Sequence, residues 1–297
     1  MTSIVIPAHN EERVLGRLLD ALSAGPPDGE DAPDVVVVCN GCTDGTARIA
    51  RAHPGVRVVE IPTPSKHLAM RTGDEHARGF PRLYVDADVV LGPADVRALA
   101  AAVDGPGPVL AAAPARELPL KGCGRRVRAY YRVWTRLPAV REGLFGRGVI
   151  ALSEEGHARI AALPPLMADD LAASLAFAPG ERRVVETARV VVHPPRTWRD
   201  LMKRRIRAAV SSAQVEQHQA ARPPASPASA ASPAGELPPS ARTSTADLRA
   251  LLRREPWLLP HLVLFLAAAV LARRAAAKAI RAQDYGTWLR DESSRAD

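Results

Sequence analysis

The sequence predicts an α/β protein: an open, doubly wound, mostly parallel sheet with helices on both faces, followed by a helical appendage at the carboxyl end. Three observations carry this expectation. Short apolar runs alternate with helix-length segments from residue 3 to residue 91, the pattern of βαβ units joined by right-handed crossovers. One run, Val35-Val36-Val37-Val38, is apolar at every position, as a strand covered on both faces must be. Another, Leu83-Tyr84-Val85-Asp86-Ala87-Asp88-Val89-Val90-Leu91, carries apolar residues into two carboxylates separated by one small residue. The carboxyl end of a strand in an open α/β sheet is where such folds bind ligands.

Taken in order, Ser3–Pro7 is a buried strand and Ala8-His9-Asn10-Glu11-Glu12 its exit loop. Asn10 is placed to cap the next helix, on which Leu15, Leu18, Leu19 and Leu22 share one face. Gly25-Pro26-Pro27-Asp28-Gly29 ends it. The valine strand leaves through Cys39-Asn40-Gly41-Cys42-Thr43-Asp44-Gly45-Thr46 into a second helix. Val56–Glu60 is a third strand, Lys66–Gly79 a third helix, and the fourth strand bears the acidic pair. Alternation along that strand turns Asp86 and Asp88 the same way and Ala87 aside. Two such carboxylates repel unless a cation lies between them, and hard oxygens suit Mg2+ or Mn2+. Taken alone, the pair reads first as a solvated acidic turn. Pro93–Val103 follows as a helix and Val109–Ala113 as a fifth strand.

The 297 residues hold one domain of roughly 200 residues with an appendage. At 47% apolar and 24% charged the chain is globular in composition. Its net charge of +8 comes with arginine concentrated at 121–147, 196–207 and 273–281, which points to phosphate or an anionic membrane surface. No nucleic-acid fold signature is present, so nucleic acid is not an expected partner. Cys39 and Cys42 have C-x-x-C spacing, but no second cysteine pair or nearby histidine completes a zinc site, and Cys123 stands apart. Reduced thiols in the cytoplasm are expected. The sequence starts on a strand, without a basic leader or apolar core, so secretion is not expected.

Ile6-Pro7-Ala8-His9-Asn10-Glu11-Glu12, the Asn40–Thr46 loop, Lys66 and Asp86-Ala87-Asp88, in this order, resemble family 2 glycosyltransferases with the GT-A fold. The resemblance implies a nucleotide held by the first two loops, through Pro7, Ala8, Asn10 and Glu11 and through Asn40 and Asp44. Lys66 and Ala87 join the same donor site. Asp86 and Asp88 would place Mg2+ or Mn2+ on the diphosphate of the nucleotide-sugar. Family members commonly carry two aspartates where this chain has Cys39-Asn40; Asn40 still offers hydrogen bonds to a base or ribose, and the base stays open.

The likeness continues more loosely. Lys121, Arg125, Arg126, Arg128, Arg132, Arg136 and Arg141, interleaved with Tyr130, Tyr131 and Trp134, fall where the family builds its acceptor side; a solvated helix face is the other reading. Phe145–Ala151 returns to the sheet, with glycines that permit close backbone approach. Asp169-Asp170 resembles the family's (E/D)-D motif, whose second acid deprotonates the acceptor hydroxyl; this implies Asp170 as base with Asp169 beside it. Alone, that pair would be a helix N-cap. His193 ends a valine-rich strand and is either a third metal ligand, as in some GT-A enzymes, or an ordinary strand-end histidine. Arg204-Arg205-Ile206-Arg207 stands where relatives often carry Q/R-x-x-R-W and lacks the tryptophan, which disfavours processive synthesis.

Three segments follow from this reading: a catalytic domain at 1–215, a Pro/Ala/Ser-rich disordered linker at 221–246 and a helical, membrane-associating segment at 247–297. The apolar run Trp257–Ala272 is shorter than the roughly 20 residues of a perpendicular span, and Pro260 shortens it further. Arg253-Arg254 and Arg273-Arg274 bracket it, suiting a helix on or partly in a membrane surface; a span and docking on the catalytic domain are the alternatives. The expected activity is inverting, metal-dependent transfer of a hexosyl group from a nucleotide-sugar to a glycan or lipid-linked acceptor. Its expected setting is cell-envelope glycan, polysaccharide or glycolipid synthesis at the inner face of the cell membrane. A nucleotidyltransferase of similar fold, or a degenerate membrane-attached nucleotide-binding module, is the alternative.

Overall fold

The computed structural model describes residues 1–24, 32–163, 169–221, 243–281 and 293–295, with side chains throughout except at 169–170 and 214–221. Eight strands form one mixed sheet: β1 (Ser3–Ala8), β2 (Asp34–Asn40), β3 (Val56–Ile61), β4 (Arg82–Val85), β5 (Val89–Val90), β6 (Ala111–Glu117), β7 (Val149–Leu152) and β8 (Arg182–Val192). Their order is β3-β2-β1-β4-β7-β6-β8-β5. The first four are parallel, as the βαβ pattern requires. β7 enters antiparallel between β4 and β6, β6 runs parallel to β8, and β5 caps the far edge antiparallel to β8.

Helices α1 (Leu15–Leu22), α2 (Thr46–Arg51), α3 (Lys66–His76) and α4 (Pro93–Asp104) cover the sheet. The pleat of β1 sorts its residues between two faces. Ile4, Ile6 and Ala8 join Leu15, Leu18 and Leu19 of α1 and Leu99 of α4 in the main core. Val5 points the other way, beneath α3, where a Cβ added to Gly73 would lie 2.3 Å from Val5 Cγ1. Ile4, Ile6, Leu18 and Leu99 are wholly buried, each contributing about 1.5–3 kcal/mol relative to an exposed side chain.

The fourth strand differs from its expectation. It ends at Val85, and β5 begins at Val89, so Asp86-Ala87-Asp88 form a turn and strand alternation does not orient the two acids. Backbone bonds fix this turn: the Asp86 N–H donates to the Gly148 carbonyl (2.7 Å), and the Val89 N–H donates back to the Asp86 carbonyl (3.4 Å). The chain then swings away from β4 to pair with β8. The fifth strand runs over Ala111–Glu117 rather than 109–113, passing Pro114 because the β6–β8 register shifts between Pro114 and Ala115. α3 stops at His76, since Ala77 is already extended.

Beyond β6 lie α5 (Arg125–Trp134), α6 (Pro138–Glu142), α7 (Glu154–Ala161), α8 (Asp169–Leu175), α9 (Trp198–Ala221), α10 (Thr245–Arg254) and α11 (Leu259–Arg281). α9 runs through residue 215, and α10 starts inside the expected linker, capped reciprocally by Ser244 and Asp247. Residues 222–242 of that linker and the Gly25–Gly29 break lie outside the described residues. The tyrosines at 130 and 131 belong to a second core rather than an acceptor surface. Val127, Tyr130, Tyr131 and Val133 of α5 are buried with Leu201 of α9 and with Leu262, Phe265 and Ala268 of α11. Tyr130 stacks on Phe265 with ring centroids 5.0 Å apart. Arg136 Nε reaches both Glu255 oxygens (2.9 and 3.0 Å), fastening α5 to the α10–α11 junction.

α11 is apolar on both sides. Leu262, Phe265, Ala268, Ala272 and Ala276 face the protein, while Leu259, Val263, Leu266, Val270 and Leu271 are exposed, Val263 at 62%. The segment Pro256–Arg281, 26 residues with its leading turn, is long and apolar enough to cross a bilayer by length and composition.

Candidate functional site

The loops after β1 and β2 brace each other into one platform. Asn10 does not cap α1, whose N-cap is Val14. With φ at +54° it turns its side chain to the second loop, where Oδ1 accepts from the Thr43 N–H at 2.7 Å. The Glu11 N–H donates to Thr46 Oγ1 (2.8 Å), and the Gly45 N–H donates to Glu12 Oε2 (2.8 Å). Asp44 works within the platform, accepting from the Thr46 N–H at 3.0 Å and from the Glu12 N–H at 3.3 Å. Asn40 is only 3% exposed, and its Nδ2 donates to the Ala8 carbonyl at 2.8 Å. Its side chain holds the first loop from inside. The neighbouring Cys39 thiol is pushed up to about 12, chiefly by burial, and Cys39, Cys42 and Cys123 form no disulfide.

The acidic turn sits beside this platform. Lys66, at the first position of α3, places Nζ 2.8 Å from Asp86 Oδ1, both side chains remaining partly exposed. Ser65 makes that position possible by capping α3, its Oγ accepting from the Leu68 N–H. The carbonyl that fixes Asp86 belongs to Gly148, at φ +67°, where an added Cβ would meet Val89 Cγ1 at 2.5 Å. Only glycine fits there. Asp88 Oδ2 lies 3.0 Å from Arg295 Nη2, and the same guanidinium forks onto Glu11 through Nε (2.8 Å) and Nη2 (2.9 Å).

Two further groups face the turn. The β5–β8 register, Val89↔Val192 and Val90↔Val191, leaves Asp88 and His193 opposite each other just beyond the last pair. Burial, then Arg17 and, more weakly, Arg196, lowers the His193 pKa, with Asp88 pulling the other way, so the imidazole is neutral near pH 7. Arg207 on α9 is held below its ordinary value by burial and by Arg204 and Arg295, against the attraction of Asp88 and Asp86. Among the described residues no three His, Cys, Asp or Glu side chains gather into a preformed cation cage.

The structure thus brings together Glu11, Lys66, Asp86 and Asp88 of the sequence-predicted set, with Pro7, Ala8, Asn10, Asn40 and Asp44 forming the adjoining platform. Asp169 and Asp170 start α8, and their side chains lie outside the described residues. α8 is tied to the segment leading into β7, because the Leu144 N–H donates to Ser174 Oγ at 3.1 Å. Sequence reasoning placed Arg207 only within the Arg204–Arg207 stretch, without a site role, and missed Arg295. Arg207 had a signal in the basic run of α9; Arg295 had none, being 207 residues from its partner Asp88.

Comparison with known proteins agrees with this architecture. Residues 3–149 match the family model described as glycosyl transferase family 2. The chain is 37% identical over 94 residues to a 4,4'-diaponeurosporenoate glycosyltransferase of Staphylococcus aureus, a match covering 29% of this chain and 24% of that protein. The chain therefore spans about a quarter of the curated relative's length. A mannosyltransferase from Pyrobaculum calidifontis, solved with GDP-Man and Mn2+, superposes with a TM-score of 0.58 over 99% of this chain and 84% of its own, at 23% identity. Glucosyl-3-phosphoglycerate synthase from Mycobacterium tuberculosis, solved with Mn2+, UDP-Glc and phosphoglyceric acid, gives 0.53 over 73% and 80%, at 21% identity. At these identities the two structures establish the GT-A fold.

Proposed function

The chain belongs to glycosyl transferase family 2 through residues 3–149, and on that premise we propose that it transfers a hexosyl group from a nucleotide-sugar to an acceptor hydroxyl with inversion. The observation that carries this reading is the Asp86–Asp88 turn, fixed by Gly148 and edged by Lys66, Arg207 and the first-loop Glu11. The first two loops hold the nucleoside, and Asn40 acts through the Ala8 carbonyl it fastens. Lys66 and Arg207 lie where the diphosphate must leave. Asp170 takes the proton of the acceptor hydroxyl as its oxygen bonds to the anomeric carbon. The sugar–phosphate bond breaks on the opposite face, its electron pair going to the phosphate oxygen. Asp169 supports that base.

The donor set fits a divalent cation. Mg2+ and similar ions bind through one or two carboxylates plus substrate phosphates rather than an all-protein cage, and the turn supplies two carboxylates with a neutral imidazole opposite. Asp86, Asp88 and His193 are the residues that would hold it. When bound, Mg2+ or Mn2+ neutralises the departing diphosphate.

Heating the protein with UDP-, GDP- and dTDP-sugars and Mn2+ should identify the donor by a rise in Tm, because ligand binding stabilises the folded state by mass action. The stabilising donor should then be hydrolysed slowly without acceptor, releasing free sugar. Pyrophosphate release would instead mark a nucleotidyltransferase, and no turnover a binding module.

The acceptor side is assigned to a cytoplasmic membrane surface carrying glycan or lipid-linked acceptors. The support is α11: its inner face is committed to Tyr130 and α9, while its outer face offers an apolar ridge flanked by Arg253, Arg254, Arg273 and Arg274. A helix so docked suits in-plane attachment better than a span. Truncation before α10 would strip the second core, so the test uses outward substitutions. Wild-type protein should float with phosphatidylglycerol vesicles, and V263E/L266E should stay at the bottom of the gradient. Equal flotation of the two, or none by either, overturns the assignment.

A further inference from the structure

Resting on the donor-site reading above, we infer that Arg295, carried by the carboxy-terminal segment, is a donor-site residue that binds the nucleotide's diphosphate. Its guanidinium is seated among the groups that define the site: forked on Glu11 of the first loop and bonded to Asp88 of the acidic turn. The side chain is 14% exposed, which leaves it far less conformational freedom than a solvated tail arginine.

The segment bearing it is anchored independently of that ion pair. Ser293 Oγ accepts from the Arg196 N–H at 3.0 Å, Ser293 also hydrogen-bonds the Asp200 carboxylate, and Ser294 is buried. Arg196 and Asp200 bracket the start of α9, the helix that presents Arg207 to the same acids. The tail therefore closes the site between the first loop and α9.

Charge gives this placement its chemistry. Glu11, Asp86 and Asp88 supply three carboxylates; Lys66, Arg207 and Arg295 supply three cations. A divalent cation matches the two negative charges of a bridging diphosphate. Without Arg295, Glu11 and Asp88 lose the guanidinium bonded to them, and the departing diphosphate meets less positive charge. A planar guanidinium offers five N–H donors in a fork suited to phosphate oxygens, while the Glu11 fork keeps it in place if Asp88 turns to a cation.

The test is calorimetric titration of the full-length protein with UDP and GDP in Mn2+, each beside its monophosphate. Wild type should bind one diphosphate more tightly than its monophosphate. Arg295→Ala should weaken that diphosphate about tenfold to a hundredfold, the usual size of a lost charge-assisted hydrogen bond. Monophosphate affinity should barely move, and Arg295→Lys should restore part of the loss. Unchanged diphosphate affinity in the alanine variant overturns the inference while leaving the donor site standing. So does an equal loss for the monophosphate, which would mark a structural role. Tighter diphosphate binding also overturns it, showing that the tail competes with the donor. Failure of wild type to bind either diphosphate overturns the donor-site reading and this inference with it.

Discussion

Asp88→Asn is expected to lower Mn2+-dependent nucleotide-sugar affinity at least about a hundredfold, because a carboxylate ligand of a divalent cation contributes several kcal/mol. The substitution is nearly isosteric. The turn itself is closed by backbone bonds, from Asp86 to Gly148 and from Val89 to Asp86, and neither needs the Asp88 side chain. The fold should persist, with an unchanged circular dichroism spectrum. The neutral amide keeps one oxygen for Arg295 but forfeits the charge that a hard cation requires. Affinity measured in EDTA serves as the control and should change much less. Retention of wild-type affinity in Mn2+ would place the cation elsewhere.

Asp170→Asn is expected to act on turnover instead. A lost general base costs about a hundredfold or more, while donor affinity should stay nearly unchanged because the base acts on the acceptor hydroxyl rather than on the nucleotide. Single-turnover kinetics with saturating donor read this step directly. Asp169→Asn should be milder; equal losses in the two variants would erase the division of labour between them, and substantial activity in Asp170→Asn would point to another base.

The parallel half of the fold was legible because each of its signals is local. Four valines in β2, a leucine stripe on α1 and turn residues between them suffice to set βαβ order. The Lys66–Asp86 pair was legible as order along the chain, though not as a contact. What escaped the sequence was non-local. The acidic pair reads as strand from its apolar flanks, yet the strand ends at Val85 and the Asp86 N–H donates to the carbonyl of Gly148, in the loop before β7. Tyr130 and Tyr131 read as surface aromatics among arginines because the helix that buries them lies more than a hundred residues downstream. Asn10 and Asn40 carry the right polarity for a cap and a base contact. Asn10 does not cap the helix, and both side chains fasten one loop to the other, a pairing that only the adjacency of β1 and β2 creates.

On the proposed surface attachment, the two-sided apolarity of α11 would also bear on how often the enzyme meets its acceptor. A protein held at a surface by Val263, Leu266 and Val270 searches for surface-borne substrate in two dimensions rather than three. Tethering of this kind raises the effective concentration of a partner on the same surface without adding any contact to it. Because the inner face of that helix packs on α9, which also presents Arg207 to the acidic turn, attachment would fix the tilt of the catalytic cleft as well as its height. Encounter frequency and approach angle would then both be set by a helix that touches neither substrate.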